Sequence, residues 1–216
     1  DLTGLRLPRS YYRNIMWGLD KGIHIFTTDP KHAGHPFYGM GWHWGDVKRT
    51  WTFPEKYLDM DAEVEAYADC DEVAFLLNGC EIGRVKPERM IARCMVPYRP
   101  GTIKAIAYRS GEAVAEDSIR TAGPAARIQL CADRNVIAAD GMDLSYITAA
   151  HISGDAEIAG MGSGNPCTDE PFGTDRRYVF NGSAMICVRA GQMPDHLTLT
   201  VVARGLPAAA CTIETR

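Results

Sequence analysis

Hydrophobic and polar residues alternate along most of the chain, and only about the first 20 residues follow another period. In that opening segment, apolar residues recur at three- and four-residue spacing: Tyr12, Ile15, Met16 and Leu19. Such spacing places them on one face of a helix that begins near Pro8. From Gly22 onward the period is two, which is typical of β-strands.

A first set of short strands is predicted between Gly22 and Thr121. After 23–26, these segments alternate or carry strand-forming residues: 62–68, 73–77, 80–85, 91–96, 103–108 and 113–119. Asn78-Gly79 joins two of them and is the signature of a type I′ hairpin turn. Short strands separated by turn residues at this spacing favour a β-sandwich.

A second set of strands follows the interruption Thr121-Ala122-Gly123-Pro124. Its predicted members are 126–130, 136–138, 144–148, 156–159, 183–188, 197–203 and 210–213. A change from one regular set to another across a Gly-Pro turn indicates a domain boundary. The pattern therefore predicts an all-β chain of two sandwich domains, 22–122 and 123–216, after a helical segment at 1–21.

Composition and charge narrow the classes of partner. The 216 residues carry a net charge of −4, and the basic residues are dispersed, so we expect no nucleic-acid partner. Every apolar stretch falls short of the roughly 20 residues that cross a bilayer, so we expect no membrane partner. The seven cysteines form no C-x-x-C pair and lie mostly in strand-like runs, which predicts buried thiols and a reducing, cytoplasmic location. A periplasmic or secreted location stays open as the alternative.

The densest aromatic group is the main candidate for binding chemistry. Trp42 and Trp44, with Tyr38 and His43, could present ring faces to a sugar beside a few polar groups. The alternative is that Trp42 and Trp44 share one strand face, while Trp51 fills the sandwich core. Both interpretations stay open at this point.

Three other residue patterns could indicate a functional site, but each favours a structural role. Glu63 and Glu65 alternate with apolar residues, as on a solvated strand face. Gly160–Gly164 resembles a phosphate-binding loop only superficially, because no crossover helix follows, and it is predicted to be a loop. The His32-x-x-His35 pair lacks an acidic partner at helical spacing, so we expect no metal and no cofactor.

Three groups of residues occur in a recognisable order and spacing. The first is Asp1-Leu2-Thr3-Gly4 with Pro8-x-Ser10-Tyr11-Tyr12-Arg13 and Trp17. The second is Trp51-x-Phe53-Pro54, Val64-Glu65-Ala66-Tyr67, Asp71-Glu72-Val73-x-Phe75-Leu76-x-Asn78-Gly79 and Val96-Pro97-Tyr98-x-Pro100-Gly101. The third is Ile128-x-Leu130-x-Ala132-Asp133-Arg134, Ala139-Asp140-Gly141-x-Asp143-Leu144 and Gly160-x-Gly162-x-Gly164-Asn165-Pro166.

This order resembles bacterial glycoside hydrolase family 2 enzymes of the β-galactosidase type. The first group is similar to the end of their catalytic (β/α)8 barrel, the second to the immunoglobulin-like domain after the barrel, and the third to an invasin-like last domain. The resemblance implies two tandem immunoglobulin-like β-sandwich domains preceded by a short helix left over from the barrel. Between Ala150 and His151 the family carries about one more strand and hairpin, which this sequence lacks.

The resemblance also implies a function. Family 2 hydrolysis uses two glutamates of the barrel, so we expect no catalytic residue here and a non-catalytic accessory role that braces the barrel. The implied partner is the missing barrel of the same polypeptide, whose substrate would be terminal β-D-galactosides, and the parent enzyme could form homo-oligomers. Three alternatives stay open: a module that binds β-galactoside glycans, a β-glucuronidase parent, and an adhesin-like immunoglobulin repeat.

Overall fold

The computed structural model divides the chain into two compact units, one of which is Arg6–Gly123 while the other includes Pro124–Arg216. The structure describes residue 4 and residues 6–35, 44–147, 152–153, 156–165, 167–180 and 182–216. Within these ranges, no helix is long and apolar enough to span a bilayer. Each unit is described separately below.

The first unit contains the single α-helix of the described residues and eight strands. They are α1 (Pro8–Met16), β1 (His24–Thr28), β2 (Val47–Lys48), β3 (Asp61–Tyr67), β4 (Glu72–Leu77), β5 (Cys80–Val85), β6 (Ile91–Pro97), β7 (Thr102–Arg109) and β8 (Glu112–Arg120). Short 3₁₀ turns lie at Pro30–His32 and Glu55–Tyr57. The strands form two four-stranded sheets, in the orders β2-β1-β3-β6 and β5-β4-β7-β8.

The core of this unit lies between its two sheets because alternate residues of each strand point inward. In β3 these are Ala62, Val64 and Ala66, which meet Val73 and Phe75 of β4. Burial of these apolar surfaces is the main driving force for folding of the unit. The two sheets enclosing one core make this unit a β-sandwich.

Trp51 is the largest side chain of that core and is fully buried. Its indole N–H donates a hydrogen bond of 3.0 Å to the carbonyl oxygen of Arg99, so the polar atom of the ring is satisfied. The rings of Phe53 and Tyr98 pack edge-on against it. The expectation that Trp51 fills the sandwich core is confirmed.

The described residues of the second unit form seven strands. They are β9 (Val136–Ile137), β10 (Leu144–Ile147), β11 (Ile152–Ser153), β12 (Ala156–Gly162), β13 (Met185–Ala190), β14 (His196–Val201) and β15 (Ala209–Thr215). Their orders are β10-β13-β12 in one sheet and β11-β14-β15-β9 in the other, with β9 parallel to β15. The core is made of alternate residues of the long strands, among them Ile186 and Val188 of β13 and Leu197 and Leu199 of β14.

The all-β fold with one short helix is confirmed, and most predicted strands are present within one or two residues. The strand predicted at 126–130 is wrong, because this segment has no regular secondary structure. Ile128 and Leu130 are half-buried while their neighbours face solvent, so the predicted alternation of burial is present. The segment nevertheless pairs with no other strand of the described residues. The glycine run predicted as a loop begins inside β12.

The seven cysteines are all free thiols, and none is fully buried. Cys80, Cys131 and Cys167 are exposed, and the others are half-buried: Cys70, Cys94, Cys187 and Cys211. The prediction of buried thiols is therefore wrong for the three exposed residues. These three side chains are exposed to solvent. A two-residue alternation in the sequence does not show how deeply a cysteine is buried.

Candidate functional site

The outer face of β1 and β3 carries large residues and is covered by α1. Phe26 of β1 and Tyr67 of β3 point away from the sandwich core, yet both are buried. Their ring centroids lie 4.9 Å apart. A sheet face that would otherwise contact water thus carries a second, smaller apolar cluster.

The helix supplies the cover through residues at adjacent turns. Ile15 is 2% exposed and belongs to this second cluster. The ring centroid of Tyr11 lies 5.5 Å from that of Phe26, and the centroid of Tyr12 lies 5.8 Å from that of Tyr67. Tilted and edge-on contacts at these distances are favourable for aromatic rings. The apolar side of α1 therefore packs on the sandwich of its own unit.

A hydrogen-bonded network lies beside this cluster on the same sheet face. The Tyr67 hydroxyl donates to Oε2 of Glu65 at 2.8 Å and accepts from the indole N–H of Trp44 at 2.8 Å. Nε of Arg93, on the neighbouring strand β6, donates to Oε1 of Glu65 at 2.8 Å. Both oxygens of the Glu65 carboxylate are engaged, and the residue is only 7% exposed.

The electrostatics of this network follow from burial next to a carboxylate. Burial raises the pKa of the Tyr67 hydroxyl far above its ordinary value, and the charge of Glu65 adds to the shift. Burial also raises the pKa of Glu63, again with a contribution from the Glu65 charge, while Arg93 opposes both effects. Tyr67 therefore stays protonated and can act as a donor to Glu65.

The prediction of a solvated glutamate face is wrong for Glu65. The alternation of Glu63, Glu65 and Tyr67 marks the outer sheet face correctly, but that face lies under α1. The sequence contains one indication of this burial. Tyr67 is a large aromatic residue at an outward position, and its apolar ring favours contact with another element over contact with water. Because its oxygens are occupied by Tyr67 and Arg93, Glu65 links β3 to β6.

The C-terminal end of α1 presents apolar residues to the surface. Met16, Trp17 and Leu19 are 45%, 63% and 74% exposed. The helix ends at Met16, so Leu19 does not continue the face of Tyr12 and Ile15 as predicted. Adjacent exposed apolar side chains of this size are a common mark of an interaction surface.

The predicted sugar contacts are only partly within the described residues. Tyr38, Trp42 and His43 lie outside them. Trp44 is half-buried; its ring centroid lies 5.0 Å from that of Tyr12, and its N–H is donated to Tyr67. The structure therefore brings Trp44 together with Glu65 and Tyr67, and the sugar contact stays a prediction.

Comparison with family models gives two matches. Residues 60–115 match a family described as a domain of unknown function, DUF4982. Residues 149–212 match a family described as glycoside hydrolase family 2 C-terminal domain 5. One match thus falls in each of the two units.

Similar proteins cover nearly the whole chain. The chain is 30% identical to the β-galactosidase BoGH2A of Bacteroides ovatus, with 99% of this chain and 25% of that protein aligned. A putative β-glucuronidase of Formosa agariphila is 26% identical over 71% of this chain and 17% of its own length. A crystal structure of a glycosyl hydrolase family 2 member from Bacteroides cellulosilyticus superposes with a TM-score of 0.91 at 32% identity, covering 100% of this chain and 31% of that one.

These matches agree with the order of motifs in the sequence and with the two β-sandwich units. The chain spans about a quarter of the length of the curated β-galactosidase that it matches. The chain belongs to glycoside hydrolase family 2 and corresponds to the C-terminal immunoglobulin-like region of that family's proteins.

Proposed function

We propose that this chain is the non-catalytic accessory region of a family 2 glycosidase and that it braces the catalytic barrel of the same polypeptide. The observation that carries the proposal is the position of α1. One side of the helix is fixed to β1 and β3 through Ile15 and Tyr12, while its C-terminal end exposes Trp17 and Leu19. A helix that is packed on the sandwich and exposes apolar residues at its end can contact the barrel and hold it against the sandwich.

The buried network strengthens this role. Glu65, Tyr67 and Arg93 connect two strands of one sheet, and Trp44 joins them beside the helix. Polar side chains that are partly buried and fully hydrogen-bonded favour one arrangement of the strands and segments that they connect. The helix is therefore held at a defined place on the sandwich, which a bracing role requires.

For the whole protein we propose hydrolysis of terminal β-D-galactosides. The support is the likeness over nearly the entire chain to a protein named as a β-galactosidase. The alternative of a β-glucuronidase rests on a likeness that covers 71% of the chain at lower identity. The substrate pocket of such an enzyme would lie in the barrel. The choice between β-galactosidase and β-glucuronidase activity therefore rests on sequence similarity alone.

Reconstitution from two separate polypeptides tests the proposal. We would produce this chain and the preceding barrel segment apart, mix them, and assay nitrophenyl β-D-galactoside and β-D-glucuronide. The chain alone should show no turnover, and its addition should raise the stability and β-galactosidase rate of the barrel segment. A Trp17→Ser chain should restore less, with Arg9→Ala, an exposed polar change on the same helix, as its control.

Two results would contradict the proposal. A barrel segment that is fully active and stable without this chain would remove the bracing role. Preferential hydrolysis of the glucuronide would leave the bracing role intact but refute the assignment of the substrate.

A further inference from the structure

The turn between β4 and β5 carries an Asn-Gly pair whose chemistry the bracing role does not use. Asn78 and Gly79 are both exposed and have positive φ, at 51° and 86°. In such a pair the backbone nitrogen of glycine can attack the side-chain amide of asparagine, because glycine has no side chain that would shield this nitrogen. Asparagine is accordingly one of the thermolabile residues of proteins. The turn is therefore a candidate site of chemical modification.

Both polar atoms of the Asn78 side chain are bonded to a second turn, which joins β6 to β7. Oδ1 accepts from the N–H of Thr102 at 2.8 Å, and Nδ2 donates to the carbonyl oxygen of Pro100 at 3.1 Å. The backbone N–H of Asn78 also donates to the carbonyl oxygen of Thr102, at 2.9 Å. These three hydrogen bonds, which we call the Asn78 tie, connect the two turns.

The second turn is itself anchored to the core of the sandwich. The N–H of Gly101 donates to Oγ1 of Thr121 at 3.0 Å, and the Thr121 hydroxyl donates to the carbonyl oxygen of the buried Trp51 at 2.7 Å. The backbone N–H of Thr121 donates in turn to the carbonyl oxygen of Gly101 at 2.8 Å. The Asn78 tie thus holds an exposed amide against a turn that is fixed to the core.

Deamidation of Asn78 would take place in two steps. The nitrogen of Gly79 forms a bond to Cγ of Asn78 and loses its proton to solvent, while the Cγ–Nδ2 bond breaks and Nδ2 takes up a proton and leaves as ammonia. The product of this step is a cyclic imide. Water then adds to either carbonyl carbon of the imide and opens the ring, which gives aspartate or isoaspartate at position 78.

The Asn78 tie opposes this route at its first step. The departing Nδ2 must lose its bond to Pro100, and closure of the ring draws Oδ1 away from the N–H of Thr102. The amide also packs directly against Gly101, where an added Cβ would lie 1.8 Å from Oδ1. The product cannot restore the tie, because a carboxylate has no N–H to donate to the Pro100 carbonyl oxygen.

We propose that Asn78 is a conditional deamidation site: the Asn78 tie protects it in the folded chain, local opening of the tie exposes it to Gly79, and the product cannot form the tie again. The modification therefore proceeds in one direction, at a rate set by how often the tie opens. The tie joins strands of the sheet β5-β4-β7-β8, whereas α1 packs on the other sheet. Failure of this proposal leaves the bracing role unaffected.

The rates of deamidation in the folded and the urea-unfolded chain test the protection. Both samples are incubated at the same mildly alkaline pH, and mass spectrometry quantifies modification of the peptide that contains Asn78. The folded chain should react roughly tenfold or more slowly than the unfolded chain, because several hydrogen bonds must open before attack. Equal rates in the two samples would overturn the proposal.

Two variants separate the Asn78 tie from the overall stability of the first unit. Gly101→Ala places a Cβ against Oδ1 of Asn78 and should raise the rate in the folded chain several-fold. Tyr67→Phe weakens the same unit on its other sheet and should leave the rate close to that of the parent. An equal rise in both variants would show that overall stability, and not the tie, protects Asn78.

A third variant covers the case in which Gly101→Ala does not fold. Thr121→Val keeps the shape of the side chain but removes the hydroxyl that anchors the N–H of Gly101. The rate of Asn78 deamidation should again rise above that of the folded parent. A rate equal to the parent's in this variant would overturn the proposal.

The irreversible part of the proposal has its own test. Asn78→Asp reproduces one product of deamidation and should lower the midpoint of urea unfolding of the first unit, because the bond to Pro100 is lost. Asn135→Asp makes the same chemical change at an exposed position of the second unit and should leave that midpoint unchanged. Equal midpoints in the parent and Asn78→Asp would refute a product that cannot form the tie.

Discussion

The hydroxyl of Tyr67 lies 2.8 Å from Oε2 of Glu65, two residues earlier on the same face of β3. This short contact links the outward positions of the strand to Trp44, which donates to the same hydroxyl, and through Glu65 to Arg93 on β6. The face that would be solvated in an isolated sheet is covered by α1, whose Ile15 and Tyr12 pack beside Tyr67. The bracing role that we propose for the first unit depends on this covered face.

Removal of the Tyr67 hydroxyl should destabilise the first unit. Tyr67→Phe keeps the ring but leaves the N–H of Trp44 and one oxygen of Glu65 without their partner. We expect a loss of about 1–3 kcal/mol in the free energy of unfolding, because buried polar groups left unsatisfied are costly. Urea denaturation of the first unit measures it, with Tyr57→Phe, outside the network, as a control within about 0.5 kcal/mol of the parent. Equal losses in both variants would contradict a role for the network.

A half-buried carboxylate, that of Asp117, ties the two sheets of the first unit together. Asp117 of β8 accepts from both terminal nitrogens of Arg49, at 2.6 and 2.9 Å, and from the backbone N–H of Ile25 of β1 at 2.9 Å. Burial raises the pKa of Asp117, but the hydrogen bonds from Arg49 and Ile25 outweigh it and hold the pKa below its ordinary value of 3.8. The charged form is therefore the one that stabilises the fold.

The stability contributed by Asp117 should depend on pH in a defined direction. Because its pKa is lowered in the folded state, the contribution is complete above the ordinary value of 3.8 and is lost as the pH falls through the folded pKa. At neutral pH, Asp117→Asn should cost about 1–3 kcal/mol, and this difference from the parent should shrink in acid.

The control for Asp117 is the exposed pair of Asp59 and Arg99, whose side chains are both 65% exposed. Asp59→Asn should change stability by less than about 1 kcal/mol at any pH, since exposed pairs contribute little. Urea titrations across the acidic range compare the variants. A pH-independent loss in Asp117→Asn would show that the carboxylate acts through its shape alone.

The turn at Gly101 should tolerate no side chain. Its φ is +130°, and a Cβ there would lie 1.8 Å from Oδ1 of Asn78. That oxygen accepts from the N–H of Thr102 at 2.8 Å, so the clash also disrupts a useful bond. Gly101→Ala should lower the free energy of unfolding by about 2–4 kcal/mol, by strain and displacement together. Gly45→Ala, with open space and no positive φ, should fall within about 0.5 kcal/mol of the parent, and a similar loss in both would contradict the clash.

The hairpins show how much of the fold could be predicted from the sequence. Asn78 and Gly79 both have positive φ, at 51° and 86°, as the predicted type I′ turn requires. Local chemistry fixes such turns, and alternation fixes which side chains share a face. The segment 126–130 alternates equally well but forms no strand, because the pairing partner is a long-range property that a local pattern does not contain.

The candidate sites were harder to predict for the same reason. Alternation places Glu65 on the outer face of β3, but its burial depends on α1, about 50 residues away in the sequence.

The aromatic group predicted to contact sugar has a direct test. Trp44 already uses its N–H on Tyr67 and packs against Tyr12, so the bracing account expects no saturable heat with galactose or lactose at millimolar concentration. Saturable heat that Trp44→Ala abolishes, while Trp17→Ala preserves it, would instead establish a sugar site at this group.

The bracing claim itself is tested most directly by comparing thermal unfolding of one double variant, Trp17→Ser with Leu19→Ser, in two contexts. In this chain alone both residues are exposed, so the melting temperature should stay within about 2 °C of the parent. In the intact polypeptide that includes the barrel, the same change should lower the melting temperature of the barrel by several degrees and reduce its activity in parallel. An unchanged barrel in the intact polypeptide would contradict the account.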